Sequence, residues 1–232
     1  PPQSPGRAIR LLDVNPSPKA SASPSPHQAT WEFAEKFVPV GDHAATARKL
    51  SAALGVTPIS TGTAALLTLL GRLVGARSAV EIGTGAGVSG LALLGGLAAD
   101  GILTSIDSEP EHQQAARTAL DDAGYPTRRA RLIAGDALTV LPKLSDGAYD
   151  IVFVDGDPLE TVEYVAQAAR LLRPGGVLAV NHALVGGRVA DEASEDDDTV
   201  IMREVLEAIR SMDEFSGTLL PVGDGVLVAY RH

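Results

Sequence analysis

The residues with the clearest chemical capacity lie in Glu81-Ile82-Gly83-Thr84-Gly85-Ala86-Gly87, where glycines alternate behind an acid. A turn of this kind at the end of a strand lets the backbone approach a ligand that any Cβ would push away. A dinucleotide fingerprint needs Gly-x-Gly-x-x-Gly, but the sixth position is Val88 and the third glycine is Gly87. The spacing therefore argues against a nicotinamide oxidoreductase. Asp107 follows Gly87 at the end of Leu103-Thr104-Ser105-Ile106-Asp107, where a carboxylate can accept both ribose hydroxyls. Asp136 in Gly135-Asp136-Ala137 can cap a helix, and its remaining acceptor sites leave room for a ligand as well. Further along stand the acid pair of Asp155-Gly156-Asp157, closing a strand-like run, and the polar pair Asn181-His182.

These residues need elements to bring them together. Strand-like runs at 78–82, 101–106, 129–134, 149–154, 176–181, 217–222 and 226–230 alternate at first with helix-compatible runs at 89–97, 109–123, 137–143 and 159–172. Such alternation predicts parallel strands with crossover helices. The chain ends differently, with a helix over 199–210 and then two strands joined by Gly223-Asp224-Gly225, a hairpin signal. The expectation is a Rossmann-like, doubly wound α/β sheet of seven strands, mostly parallel, with an antiparallel last strand at its edge and helices on both faces. Helices are also expected at 31–37, 42–54 and 61–74, the last capped by Thr61 or Thr63 and burying a stripe of Leu66, Leu67, Leu69, Leu70 and Leu73.

The motifs together resemble the class I S-adenosylmethionine-dependent methyltransferases, and within them the catechol and caffeoyl-coenzyme A O-methyltransferase family with its small bacterial members. The resemblance runs over roughly residues 31–230. It rests on the glycine turn, the Val56-Thr57-Pro58-Ile59-Ser60 approach, Asp155-Gly156-Asp157, Tyr164 and Leu172-Arg173-Pro174-Gly175-Gly176. It implies that S-adenosylmethionine is the cofactor, held by Ile59, Glu81, Gly83, Thr84, Gly85, Ser89, Asp107, Ser108, Asp136, Ala137 and Asp157. It implies methylation of an oxygen on a small phenolic, catechol-like acceptor, with Asp155 binding both acceptor and a divalent metal.

Two positions depart from that family's pattern. Where the family carries an Asp-Asn pair, this chain has Asn181-His182, so the implied metal set becomes Asp155, Asn181 and His182, weaker for magnesium and better suited to a softer ion. Where the family carries a lysine base, this chain has Pro158, and His182 is the candidate replacement because imidazole titrates near neutrality. These departures also leave open a protein that binds the cofactor and has lost catalysis, serving a regulatory or scaffolding role.

Composition sets the remaining bounds. A chain of 232 residues, 45% hydrophobic and 21% charged, fits one globular domain, expected over residues 29–232 and including the N-terminal helices. Residues 1–28 form a proline- and serine-rich stretch that cannot bury enough surface to order itself, and a disordered tail is expected. The formal charge of −10 disfavours nucleic-acid partners. With no cysteine, thiolate metal sites and cysteine nucleophiles are excluded. No apolar run reaches the length of a membrane span and no secretory signal is evident, so a cytoplasmic protein without membrane contact is expected. A homodimer is expected from the resemblance and from the apolar N-terminal helices. The acidic residues 191–198 are expected to form a solvated, mobile loop near the acceptor, with a lid that repels anionic acceptors as the functional alternative.

Overall fold

The computed structural model describes residues 26–232, so the expected 1–28 tail lies outside the described residues except for its last three, which already belong to a helix. Three helices come first: α1 (Pro26–Glu35), α2 (Asp42–Ala53) and α3 (Thr61–Leu73). A seven-stranded sheet follows, built from β1 (Ser78–Ile82), β2 (Ile102–Asp107), β3 (Ala130–Ala134), β4 (Tyr149–Val154), β5 (Leu172–Val180), β6 (Phe215–Leu220) and β7 (Val226–Arg231). The crossover helices are α4 (Val88–Gly96), α5 (Pro110–Asp122), α6 (Ala137–Val140) and α7 (Thr161–Leu171), while α8 (Asp197–Ser211) leads to the final hairpin.

The strand order is β3-β2-β1-β4-β5-β7-β6. The strands from β1 to β5 pair in parallel, whereas β7 runs antiparallel to both β5 and β6. The antiparallel last strand was expected at the edge; instead it lies inside the sheet and β6 forms the edge. Chain order reverses between β1 and β4, and open α/β sheets bind ligands in the crevice at such a switch point.

Alternation along the strands divides the core between two layers. In β4, Val152 and Val154 face α7 and α8 through Val165, Leu171, Met202 and Val205, while Ile151 and Phe153 face α3, α4 and α5 through Leu67, Leu93 and Leu120. The period of two along a strand accounts for this division. Strand β5 begins at Leu172 rather than at the expected residue 176, because Leu172 pairs with Tyr149 ahead of a register shift. Gly175, at φ +81, sits in that irregular stretch, which a sequence reading takes for a loop.

The cap of α3 is Ser60, whose hydroxyl accepts from Thr63 N, and neither Thr61 nor Thr63 has that role. The expected buried leucine stripe is only partly buried: Leu67 is enclosed, but Leu69 is 53% exposed and Leu73 is 71% exposed. Among the described residues, no helix is long and apolar enough to cross a membrane.

Candidate active site

The turn after β1 needs its glycines. Gly83, Gly85 and Gly87 all adopt positive φ, at 90°, 49° and 88°. A Cβ on Gly83 would stand 2.1 Å from the carbonyl oxygen of Asp155, because the ends of β1 and β4 meet there. Asp155 N also donates to Ile82 O at 2.8 Å.

Asp107 holds this turn from the end of β2. Its Oδ2 accepts from Thr84 N and Gly85 N, each at 3.0 Å, and its Oδ1 accepts from Glu109 N at 2.9 Å. His112 Nδ1 lies 3.2 Å from both carboxylate oxygens. A chain of polar groups runs beneath: Gln113 Nε2 donates to Thr84 Oγ1 at 2.9 Å, Thr84 and Ser105 hydroxyls lie 2.6 Å apart, and Ser105 donates to Glu81. Glu81 is fully buried under the turn. Burial pushes its carboxyl up to about 7, hydrogen bonds from Ser105 and Ser89 oppose the rise, and the nearby Asp155 and Asp107 add to it.

A cleft of about 510 Å³ opens over the turn and brings together Ile59, Gly83, Thr84, Gly85, Ser89, Asp107, Ser108, Asp136, Ala137, Asp155, Asp157 and His182. All of these were expected from sequence. Glu81 was expected too, but it lies behind the wall and supports the turn from below. Asp136 accepts from Thr139 N at 2.6 Å, and Asp157 accepts from Leu159 N at 2.9 Å, so both cap the helical turn that follows while lining the cleft. Sequence reasoning missed His112 and Glu160. His112 lies about one helical turn beyond Asp107, and the Glu160 carboxylate accepts from Tyr164 Oη at 2.5 Å, spacings that give little warning of a site.

A second cleft, of about 440 Å³, adjoins the first and shares Thr57, Asp155, Gly156, Pro158 and His182 with it. Val154, Val180, Val185 and Met202 supply apolar wall, and Asn181, Arg188, Asp198 and Asp224 supply polar groups. At the junction, burial pushes the Asp155 carboxyl up to about 6, while the Asn181 amide and His182 hold it back. Asn181 Nδ2 donates to Asp155 Oδ1 at 2.8 Å. His182 Nε2 stands 3.7 Å from the same oxygen, and His182 Nδ1 lies 3.1 Å from Asp224 Oδ2.

This arrangement does not fit the metal expected at Asp155, Asn181 and His182. A cation needs acceptor atoms converging on it, yet Asn181 turns its amide N–H toward the one carboxylate oxygen shared by the trio. Pro158 opens a short helical turn and offers no proton acceptor.

The acidic loop is solvated as expected, with Asp191, Glu192, Glu195, Asp196 and Asp197 exposed, but two arginines hold it. Arg188 Nη1 pairs with Asp196 at 2.9 Å, and Arg203 donates to the carbonyls of Val189 at 3.2 Å, Ser194 at 2.7 Å and Asp191 at 2.5 Å. Asp196 caps α8 by accepting from Thr199 N. Two arginines therefore tie the loop to the body at the mouth of the second cleft.

A sheet with β7 inserted antiparallel, and a glycine turn facing an acid at the β1/β4 switch point, defines a Rossmann-like methyltransferase. The chain belongs to the O-methyltransferase family, whose model matches residues 42–232. A Mycobacteroides abscessus protein named as an O-methyltransferase is 43% identical over 212 residues, covering 91% of this chain and 99% of that protein. The crystal structure of the O-methyltransferase TomG from Streptomyces achromogenes, involved in tomaymycin synthesis and solved with S-adenosylmethionine, aligns with a TM-score of 0.79 at 29% identity, covering 88% of this chain and 98% of TomG. A Corynebacterium glutamicum protein aligns with a TM-score of 0.82 at 33% identity, covering 88% of this chain and 96% of its own.

Proposed function

We propose that this O-methyltransferase moves the methyl group of S-adenosylmethionine to a hydroxyl oxygen of a small phenolic acceptor and works as a homodimer without a divalent metal. The observation that carries the reading is the meeting of two clefts at Asp155 and His182, one polar and glycine-floored, the other mostly apolar-walled. The first cleft suits a nucleoside with an amino-acid tail: the glycine turn gives close backbone approach, Asp107 would hold the ribose hydroxyls, and Asp136 and Ala137 would border the base. TomG, solved with S-adenosylmethionine, supports the same assignment.

When bound, S-adenosylmethionine supplies an electrophilic methyl group on a sulfonium. Asp107, Asp155 and Asp157 line the cleft with carboxylates that attract that positive charge. Val154, Val180 and Met202 exclude water from the flat apolar body of the acceptor, which strengthens the polar contacts at its hydroxyl. His182 and Asp155 stand at the junction to receive the hydroxyl proton. Family membership and the intact cleft support catalysis, and nothing observed favours a scaffold that has lost it.

The homodimer rests on exposed apolar surface: Trp31, Phe33, Phe37, Leu69 and Leu73 on or beside the N-terminal helices all face outward. The functional reading is tested by incubating the protein with labelled S-adenosylmethionine and a series of phenols after chelation of metals. Transfer of label to a catechol oxygen is the expected result. Failure to methylate any phenol would remove the acceptor assignment, and activity that needs added magnesium would overturn the metal-free reading.

A further inference from the structure

His182 has φ +55 and Val185 has φ +50, values that side chains bearing a Cβ seldom adopt. Such a backbone persists only where its surroundings over-determine it. The β6–β7 hairpin provides that constraint. Ala183 N donates to Gly225 O at 3.0 Å, Leu184 N to Asp224 O at 2.9 Å, and Gly186 N to Asp224 Oδ1 at 2.7 Å. The other carboxylate oxygen of Asp224 faces His182 Nδ1 at 3.1 Å. The opposite ring nitrogen, Nε2, is turned toward the junction of the clefts, 3.7 Å from Asp155 Oδ1.

An ionised carboxylate only accepts hydrogen bonds, so a neutral imidazole facing Asp224 carries its proton on Nδ1 and keeps the lone pair on Nε2. We propose that Asp224 is the positioning residue of an Asp224–His182 pair that fixes His182 in the Nδ1–H form and aims its basic Nε2 into the acceptor cleft. The inference rests on the methyl-transfer reading. As the acceptor oxygen forms its bond to carbon, the methyl–sulfur bond breaks and its electron pair stays on sulfur. The hydroxyl O–H bond breaks and Nε2–H forms. The resulting imidazolium lies between Asp224 and Asp155, with Asn181 holding the Asp155 carboxylate and Arg188 tied to Asp196, and it returns its proton to solvent through the half-exposed His182 ring. The hairpin reading of Gly223-Asp224-Gly225 sees only a turn, so nothing in local sequence spacing assigns Asp224 to the site.

The test combines spectroscopy with kinetics. Asp224→Asn retains an oxygen for Gly186 N and presents an amide N–H to Nδ1, which should reverse the tautomer while keeping the turn. Nitrogen-15 NMR of the wild-type protein at a pH where the ring is neutral, with the His182 signals assigned by their loss in His182→Gln, should show Nδ1–H. In Asp224→Asn it should show Nε2–H. The kcat of Asp224→Asn should fall about 100-fold, with the acceptor KM, S-adenosylmethionine affinity and melting temperature unchanged. An Nε2–H ring in the wild-type protein would overturn the proposal, as would an unchanged kcat in Asp224→Asn with the tautomer reversed. The wild-type tautomer is read without turnover, so a protein that methylates no phenol refutes the acceptor assignment while the spectrum still decides the pair.

Discussion

Asp107 uses one carboxylate to hold Thr84 N, Gly85 N and Glu109 N, and it faces the cleft beside His112. Its removal should therefore cost both a ribose contact and the shape of the glycine turn. Hydrogen bonds to a charged group contribute about 1.5–3 kcal/mol, so Asp107→Ala should weaken S-adenosylmethionine binding roughly 10- to 100-fold by calorimetry. Asp155→Ala, at the acceptor junction, should weaken it less, and equal losses would show the two clefts are wrongly divided. Glu81 offers a stability test. Its folded value of about 7 lies above the ordinary 4.5 of a glutamate carboxyl. A raised carboxyl contributes stability that is full below the unfolded value and is lost as pH rises through the folded one. That window runs from about pH 4.5 to 7 and amounts to roughly 3 kcal/mol. Glu81→Gln should raise the melting temperature relative to wild type at pH 8, and the gain should vanish near pH 5. A pH-independent difference would mean that Glu81 is not buried as a neutral acid.

At the scale of elements, the junction of β1 and β4 depends on one missing side chain. Gly83→Ala would place a Cβ against the Asp155 carbonyl at positive φ, so the variant should lose more than about 1 kcal/mol in denaturant unfolding and bind S-adenosylmethionine poorly. An undisturbed variant would show that the strand ends are not so close. The loop before α8 provides a second test. With Arg203 donating to the Val189, Ser194 and Asp191 carbonyls, Arg203→Ala should open the loop and speed limited proteolysis within residues 188–196 about tenfold or more. Cofactor affinity should hold, since that loop borders only the second cleft. The alternation of strands and helices was legible because the periods of two and of 3.6 are local properties. The start of β5 was not, because Arg173-Pro174-Gly175-Gly176 reads locally as a loop and becomes strand only by pairing across a register shift with β4.

For the whole molecule, the exposed Leu69 and Leu73 lie on α3, whose Leu67 packs into the layer under the sheet, and the exposed Phe33 lies on α1, which contacts α3. Sedimentation should give twice the chain mass, and Leu73→Glu together with Leu69→Glu should give a monomer with cofactor affinity retained. A wild-type monomer at micromolar concentration would refute the dimer. The formal charge of −10 suits a cationic cofactor better than an anionic one.

The sequence by itself determined the α/β class, the glycine turn with its acid at Asp107, and most of the first cleft. Those residues sit at strand ends, and a parallel sheet collects strand ends along one edge whatever the details of packing. Tertiary structure alone decided that β7 lies inside the sheet, that Glu81 is a buried support, and that Asn181 donates to Asp155 where a metal was expected. It also brought Asp224 to His182 across 42 residues of chain. Each of these depends on which strand pairs with β5 and on the direction in which a side chain points once paired, and neither is written in local composition or spacing.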